Sequence, residues 1–226
     1  MNNNELITLK SPKSNVSEGI RTIRTNLQFS AIDKELKTIL ITSSIPGEGK
    51  SFISSNLAIT FAQNNNKVLI VDCDMRKGRL HKIFKIKNEK GLSNLLVADH
   101  IAKVNDYIVK TSINNLYVLT MGTVPPNPSE LLDSEKNKRL IKNLRNKLDY
   151  FDYIIFDCVP VNGLTDSLIM APLVDKVVIV TAVGQTPIGL LEKTKKSLEN
   201  AGADIAGVVV NKSRTVYNSY YGHYYE

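Results

Sequence analysis

Residues 38–63 constrain the fold most, because an apolar run, a glycine-rich loop and an amphipathic stretch follow one another there. The loop covers residues 44–51 and reads SIPGEGKS. Between a buried strand and a helix, Gly47 and Gly49 allow a tight turn in which backbone N–H groups converge, and the helix dipole adds positive charge. We interpret the segment as a phosphate-binding loop (P-loop) and not as a turn without a ligand, although Ser44 replaces the first glycine of the general pattern.

The residues of this loop have distinct expected roles toward a nucleotide. Lys50 can reach the β- and γ-phosphate oxygens, and the Ser51 hydroxyl can ligate Mg²⁺. We therefore expect ATP and Mg²⁺ as cofactors and Lys50 as a catalytic residue. The expected nucleotide contacts in the loop are Pro46, Gly47, Glu48, Gly49, Lys50, Ser51 and Phe52.

Acidic side chains follow two further apolar runs. Asp72 and Asp74 come after residues 68–71, and Asp157 comes after residues 153–156. An aspartate directly after a buried strand is costly unless it binds a metal ion or a donor, and Mg²⁺ prefers carboxylate, hydroxyl and water oxygens. We expect Ser51, Asp72 and Asp157 to bind the metal, and either Asp72 or Asp74 to accept a proton from the attacking hydroxyl. Asp74 has the alternative role of capping its own turn.

Six short apolar runs predict a parallel sheet, because continuous apolar runs are typical of strands covered on both faces. One predicted helix covers Lys50–Gln63; another has Thr186 as its cap and Pro187 at its first position, and it ends near Gly202. The fold class is therefore α/β, a P-loop NTPase with a parallel β-sheet flanked by helices on both faces. The predicted strands are 38–42, 68–71, 116–120, 153–156, 177–181 and 207–210.

The chain length of 226 residues suits one domain, which we place at residues 1–211. It includes a polar N-terminal helix at about residues 17–30. Asn211 follows the last strand, where it either contacts the adenine base or simply terminates the strand. Residues 212–226 have no core-forming pattern and are expected to form a flexible tail.

Composition excludes several other classes of protein. The net charge is +7, but Lys and Arg are spread along the whole chain, so we expect no nucleic-acid partner. Neither a membrane-spanning run nor a signal-peptide core is visible, which predicts a cytoplasmic protein. The two cysteines, Cys73 and Cys158, are interpreted as small reduced core residues.

The C-terminal residues are unusually rich in tyrosine, with five of the nine tyrosines in the last ten positions. We interpret the cluster as a phosphoacceptor segment that enters an active site. The alternatives are an aromatic tail that packs on a partner, and base stacking on nucleic acid, which the scarcity of basic residues disfavours. The five residues are Tyr217, Tyr220, Tyr221, Tyr224 and Tyr225.

Over nearly its whole length the chain resembles the bacterial tyrosine kinases (BY-kinases) of capsule and exopolysaccharide synthesis. The likeness includes the P-loop, the D-x-D-x-R segment that starts at Asp72, and residues 122–134, which read GTVPPNPSELLDS. It also includes an N-terminal E-x-x-R-x-x-R motif and the tyrosine cluster. The family usually has D-x-P-P after its second aspartate strand, whereas this chain has Val159 before Pro160. The N-terminal motif consists of Glu18, Arg21 and Arg24.

The resemblance implies a tyrosine autokinase that transfers the ATP γ-phosphate to the C-terminal tyrosines of neighbouring subunits. The N-terminal motif would assemble the subunits into a homo-oligomeric ring. The implied partners are a membrane activator protein whose cytoplasmic tail recruits the kinase to the membrane, a tyrosine phosphatase, and enzymes of sugar-nucleotide and polysaccharide metabolism. Two rival functions share the fold: a partition or septum-positioning ATPase, which would carry a lysine where this chain has Ile45, and an ATP-dependent binding switch.

Overall fold

The structure is a computed structural model that describes residues 5–30, 35–98, 103–146 and 150–213. Seven strands form a single sheet in this part of the chain. They are β1 (Thr38–Ser43), β2 (Val68–Asp72), β3 (Val109–Lys110), β4 (Leu116–Leu119), β5 (Tyr153–Asp157), β6 (Lys176–Ala182) and β7 (Ile205–Asn211).

The strand order across the sheet is β3-β4-β2-β5-β1-β6-β7. All neighbouring pairs are parallel except the short pair of β3 and β4, which is antiparallel. In the register, Asp72 at the end of β2 lies beside Asp157 at the end of β5. Strand β1 lies between β5 and β6. The carboxyl ends of β1, β2 and β5 are therefore neighbours, at the edge where sheets of this kind bind ligands.

The described residues also form α-helices and two short 3-10 helices, Val104–Asp106 and Ala171–Leu173.

The α-helices precede or connect the strands. They are α1 (Ile7–Lys10), α2 (Asn15–Phe29), α3 (Lys50–Gln63), α4 (Leu80–Ile83), α5 (Leu92–Val97), α6 (Pro128–Asp133), α7 (Glu135–Asn146), α8 (Asp166–Met170) and α9 (Ile188–Asn200).

The sheet has a hydrophobic core on each face, because alternate strand residues point to opposite sides. In β1, Leu40 packs in the core formed with α5 to α9, whereas Ile39 and Ile41 pack in the core formed with α2, α3 and α4. All six residues of β1 are buried. This double burial explains why the strands are continuous apolar runs in the sequence.

The six predicted strands and the parallel sheet are confirmed, and α3 has the predicted bounds. The sequence prediction missed β3, whose two residues are exposed and carry no apolar run. It was also wrong about Pro187, which is the N-cap of α9 and not its first helical residue. The tyrosines of the C-terminal cluster lie outside the described residues.

Candidate active site

The P-loop connects β1 to α3 and depends on two glycines with positive φ. Gly47 has φ +85° and Gly49 has φ +98°, a region that side chains rarely adopt. A Cβ atom on Gly49 would also come within 2.1 Å of the Asn211 side-chain nitrogen. The loop therefore needs glycine at position 49 for two separate reasons, backbone conformation and space.

The contacts of Ser44 explain how this loop accommodates a residue other than glycine at its first position. Its side chain is buried and accepts a hydrogen bond of 2.9 Å from Thr194 Oγ1. Its main-chain oxygen accepts another, also of 2.9 Å, from Asn162 Nδ2. The serine is thus part of the packing between the loop and α9, so its presence does not disturb the phosphate side of the loop.

The Glu48 side chain points away from the phosphate side of the loop. It is completely buried, and its carboxylate accepts hydrogen bonds from Ile45 N at 2.8 Å, Ala182 N at 3.2 Å and Thr186 Oγ1. Burial raises the pKa of Glu48, but these donors outweigh it, and the net pKa lies below its usual value. Glu48 therefore fixes the loop to the segment after β6, and only its backbone can face a nucleotide.

The end of β7 contacts the P-loop from the same side. Asn211 Nδ2 donates a hydrogen bond of 2.8 Å to Glu48 O, and Lys212 Nζ donates one of 2.8 Å to Gly47 O. The Asn211 amide is thus engaged with the loop backbone. Its expected contact with adenine remains a prediction, and its contact with the loop is an additional role.

Asp157 lies in the cavity that the P-loop borders. The cavity has a volume of about 470 Å³. The carboxylate is only 2% exposed, and its Oδ1 atom has no hydrogen-bond partner among the described residues. Burial raises the pKa of Asp157 to about 6, although the Ser51 hydroxyl and the Lys50 ammonium both favour its ionised form. A buried carboxylate with a free oxygen of this kind is suited to a cation. The cavity is lined by Pro46, Gly47, Gly49, Lys50, Ser51, Phe52, Asp74, Arg76, Lys77, Asp157 and other residues.

Asp72 lies beneath this cavity and does not line it. Its side chain is completely buried; Oδ2 accepts a hydrogen bond of 3.0 Å from Leu80 N, and Oδ1 has no partner in the described part of the chain. Burial and the neighbouring negative charge of Asp157 hold the pKa of Asp72 well above its usual value. The Asp72 carboxylate is therefore less accessible to a metal ion or to a tyrosine hydroxyl than the carboxylates that line the cavity.

Asp74 lines the cavity and also caps its own turn. Its Oδ1 atom accepts hydrogen bonds from Lys77 N at 2.8 Å and from Arg76 N at 3.1 Å. Both interpretations made from the sequence are compatible with this geometry, because these two bonds engage only one of the carboxylate oxygens. The carboxylate is thus oriented by the backbone of the loop that follows β2.

Lys50 lines the same cavity at the start of α3. Burial lowers its pKa, and the negative charges of Asp157 and Asp74 oppose that shift. An ammonium group that lines the cavity at the end of the P-loop can approach the phosphate oxygens of a nucleotide bound there.

The residues present fit a magnesium ion bound together with phosphates. Among the described residues, no group of three or more His, Cys, Asp or Glu side chains forms a complete metal site. Mg²⁺ commonly uses one or two protein oxygens and completes its shell with phosphate oxygens and water. Ser51 and the free oxygen of Asp157 provide such a partial set.

Two residues near the site had no predicted role. Asp166 in α8 binds the Arg76 guanidinium, and Ser129 in α6 contacts both residues. Ser129 belongs to the 122–134 segment, so the family resemblance indicated its importance but not its partner. No sequence signal identified Asp166, because an aspartate near a helix start is usually a cap.

The N-terminal motif lies on α2 and makes contacts within the chain. Glu18 and Arg21 form an ion pair, and Arg21 also donates a hydrogen bond of 2.7 Å to Pro12 O. Arg24 donates one of 2.6 Å to Thr60 O in α3. Arg24 is thus part of the packing between two helices. Glu18 is the more exposed partner of the ion pair, with 63% of its side chain accessible.

The two cysteines and Val159 lie in the interior of the protein. Cys73 and Cys158 are both free and buried, as predicted. Val159 is also buried, and its main-chain oxygen accepts a hydrogen bond of 2.7 Å from Thr42 Oγ1, so the turn after Asp157 is well anchored. No helix in the described part of the chain combines the length and apolar character required to cross a bilayer.

The sheet, the P-loop and the strand-end carboxylates define a P-loop nucleotide-binding protein of the α/β class, and residues 36–198 match the family described as AAA domain. The chain is 41% identical to the putative tyrosine-protein kinase CapB of Staphylococcus aureus, over 95% of this chain and 92% of that protein. It is 36% identical to the tyrosine-protein kinase YwqD of Bacillus subtilis, over 97% of this chain and 90% of that protein.

Among solved structures, the chain is similar to the kinase domain of the Escherichia coli tyrosine kinase Etk. The TM-score is 0.83 at 32% identity, and the match covers 94% of this chain and 83% of that domain. The chain belongs to the bacterial tyrosine-protein kinases. Its reaction is therefore phosphoryl transfer to tyrosine.

Proposed function

We propose that this kinase transfers the γ-phosphate of ATP to the tyrosines of its own C-terminal cluster, on neighbouring subunits of a ring. The observation that carries the proposal is the single cavity that the P-loop, Lys50, Asp74 and Asp157 line together. It has the parts that phosphoryl transfer needs, namely amides and an ammonium group for phosphate charge, and carboxylates for a metal and a proton. The proposed acceptors are Tyr217, Tyr220, Tyr221, Tyr224 and Tyr225.

ATP and Mg²⁺ are the cofactors that these residues fit. The P-loop backbone and Lys50 would bind the phosphates, and Ser51 and Asp157 would bind the metal, with Asp72 behind them. Mg²⁺ supplies neutralisation of the charge that develops on the phosphate oxygens. The low exposure of Asp157 excludes most water from its carboxylate and strengthens its electrostatic interactions.

Asp74 is the residue we propose as the proton acceptor. A tyrosine hydroxyl has a reference pKa near 10, so a carboxylate close to it assists the attack. Asp74 lines the cavity, whereas Asp72 is buried beneath it and already accepts the Leu80 N–H. Asp72 is better suited to a role beside Ser51 and Asp157, the residues that would bind the metal.

The composition of the C-terminal segment supports its role as substrate, because five of nine tyrosines occur in the last ten residues. Assembly into a ring through Glu18, Arg21 and Arg24 would bring the segment of one subunit to the cavity of the next. A membrane activator with a cytoplasmic tail would recruit the kinase to the membrane. A tyrosine phosphatase would reverse the modification, and enzymes of sugar-nucleotide and polysaccharide metabolism would be further substrates, in the control of capsule or exopolysaccharide synthesis.

The proposal can be tested by mapping phosphate on the chain. The tagged protein would replace the chromosomal copy in the native host, where any activator is present, so that no other active copy can modify it, and it would be isolated and analysed by mass spectrometry. We expect phosphotyrosine at positions 217–225 in the wild type and in a Lys142→Met control on the exposed face of α7, and none in Lys50→Met. If the purified wild type hydrolyses ATP but carries no phosphotyrosine in these cells, the partition-type ATPase is the better description.

A further inference from the structure

Arg76 lines the cavity and contacts a buried carboxylate. Its NH1 group binds Asp166 Oδ2, and its NH2 group donates a hydrogen bond of 3.1 Å to Ser129 Oγ. Ser129 Oγ in turn donates one of 2.7 Å to Asp166 Oδ1. The three side chains therefore form a closed triangle that joins the loop after β2, α6 and α8.

The burial of Asp166 makes this triangle energetically important. The Asp166 side chain is completely inaccessible, whereas the Arg76 side chain is 30% exposed and lines the nucleotide cavity. A buried carboxylate is costly without a charged partner, and both of its oxygens are engaged here. The ion pair with Asp166 and the hydrogen bond to Ser129 therefore restrict the position of Arg76 on the cavity wall.

The same arginine contacts Asp74 through its backbone. Arg76 N and Lys77 N donate hydrogen bonds to Asp74 Oδ1 at 3.1 Å and 2.8 Å. Arg76 is thus held at both ends, by its guanidinium on Asp166 and Ser129 and by its backbone N–H on Asp74, so the loop segment that orients the Asp74 carboxylate is attached to α6 and α8. The path from Asp166 to Asp74 thus passes through only one residue.

We propose that Asp166, together with Ser129, is a positioning residue for phosphoryl transfer, which acts through Arg76 to hold the Asp74 carboxylate in the cavity. The proposal rests on the role assigned above to Asp74. Asp166 itself lines no part of the cavity, so it touches neither nucleotide nor tyrosine. Its effect should be on the rate of transfer and not on the binding of nucleotide.

The first test uses Asp166→Asn, which preserves the shape of the side chain and removes its charge. We expect tail phosphotyrosine in the native host to fall at least about tenfold, as for other displacements of a reacting group by a fraction of an ångström. The affinity of the purified chain for a fluorescent ATP analogue should change less than about twofold, because the P-loop is untouched. A parallel loss of nucleotide affinity would overturn the proposal, since Asp166 would then act on binding.

Ser129 provides a second, milder variant in case the buried substitution prevents folding. Ser129→Ala removes the hydroxyl that joins Arg76 to Asp166, and Ser129→Thr keeps it. We expect the alanine variant to lose several-fold in tail phosphotyrosine and the threonine variant to retain it, with equal thermal stability and nucleotide affinity. Equal phosphorylation in the two variants would contradict the positioning role.

An Asp74→Asn variant separates this proposal from the one on which it rests. If the wild type carries no tail phosphotyrosine, the proposed function fails as a whole. If Asp74→Asn retains it, the role of Asp74 fails, and the positioning proposal fails with it. If Asp74→Asn loses phosphotyrosine while both Asp166→Asn and Ser129→Ala retain it, only the positioning proposal is wrong.

Discussion

Asn211 and Glu48 are joined by a hydrogen bond of 2.8 Å from the Asn211 side-chain amide to the Glu48 main-chain oxygen. The two residues are separated by 163 positions in the sequence. The bond attaches the last strand of the sheet to the P-loop, next to the glycine that precedes α3. Since the C-terminal segment begins directly after this strand, the base of the proposed substrate segment and the phosphate site belong to one hydrogen-bonded unit.

Replacement of Asn211 by alanine should loosen the P-loop. The Glu48 carbonyl would lose its donor, and we expect a decrease of about 1 kcal/mol in the free energy of unfolding. Nucleotide affinity should weaken several-fold, because the loop must then be ordered on binding. Chemical denaturation and fluorescence titration would measure the two effects. Asn143→Ala, on the exposed face of α7, is the matched control, and equal behaviour of the two variants would contradict the role of Asn211.

The raised pKa of Asp157 predicts an unusual dependence of stability on pH. Its pKa is about 6 in the folded protein and 3.8 in its ordinary state, so the folded chain binds this proton more tightly than the unfolded chain. Without nucleotide, the contribution of Asp157 to the free energy of unfolding, taken as the difference between the wild type and Asp157→Asn, should therefore rise by about 2–3 kcal/mol as pH falls from 7 to 4. Denaturant titrations across this range would measure the change.

The control for this prediction is substitution of the carboxylate itself. Asp157→Asn should be more stable than the wild type at pH 7 in the absence of nucleotide, and the advantage should disappear near pH 4. An exposed substitution, Asp106→Asn, should leave the wild-type pH profile unchanged. An Asp157→Asn protein less stable than the wild type at pH 7 would mean that the carboxylate is stabilised by partners in the folded state.

Two glycine-to-alanine substitutions should have opposite effects on stability. A Cβ atom on Gly78 would lie 2.5 Å from Asp72 Oδ2 and 2.6 Å from Oδ1, a clash with a buried carboxylate. Gly78→Ala should therefore destabilise the fold by about 1–3 kcal/mol. Gly19 lies within α2 with nothing within 4 Å of the added atom, so Gly19→Ala should stabilise by about 0.5–1 kcal/mol. Thermal unfolding of the two variants and the wild type would measure both effects. A Gly78→Ala protein more stable than the wild type would contradict the close packing of Gly78 against the Asp72 carboxylate.

The proposed ring interface can be tested on α2 with Arg21→Glu. In the described part of the chain, the polar partners of Arg21 are Glu18 and Pro12, both near it on the surface, so the fold should change little. We expect a smaller oligomer in analytical ultracentrifugation and reduced tail phosphorylation in the native host. Arg24 is a poorer test, because its bond to Thr60 O links α2 to α3. If Arg21→Glu assembles and is phosphorylated like the Lys142→Glu control, the interface lies elsewhere.

The sequence was sufficient to predict the sheet and the P-loop, because both have local signals. Strands covered on two faces are continuous apolar runs, and Gly47 and Gly49 follow one such run directly. β3 was missed because its two residues are exposed, form no apolar run and are recognised as a strand through their pairing with β4. The sequence prediction started this helix at Pro187, one residue before its observed first residue, Ile188. The Thr186 hydroxyl, which the sequence suggested as the helix cap, binds Glu48 instead.

The long-range contacts of the site could not be predicted from the sequence. The Glu48 carboxylate binds donors at positions 182 and 186, and Asp166 binds Arg76 across 90 positions. Such pairs depend on how the sheet brings distant loops together, and no local pattern specifies them. The sequence also does not show which of two nearby side chains is buried. Asp72 and Asp74 lie two residues apart, but of the two only Asp74 lines the cavity.

The most direct test of the central claim is a measurement of phosphate transfer between two distinguishable copies of the chain in the native host. One copy carries Lys50→Met and an intact tail; the other is active, but its five C-terminal tyrosines are replaced by phenylalanine. In a host that lacks its chromosomal copy of the chain, we expect phosphotyrosine at positions 217–225 of the Lys50→Met copy only when the active copy is present. If the active chain with an intact tail becomes phosphorylated when it is produced alone, an unmodified Lys50→Met copy in the two-copy experiment would contradict transfer between subunits.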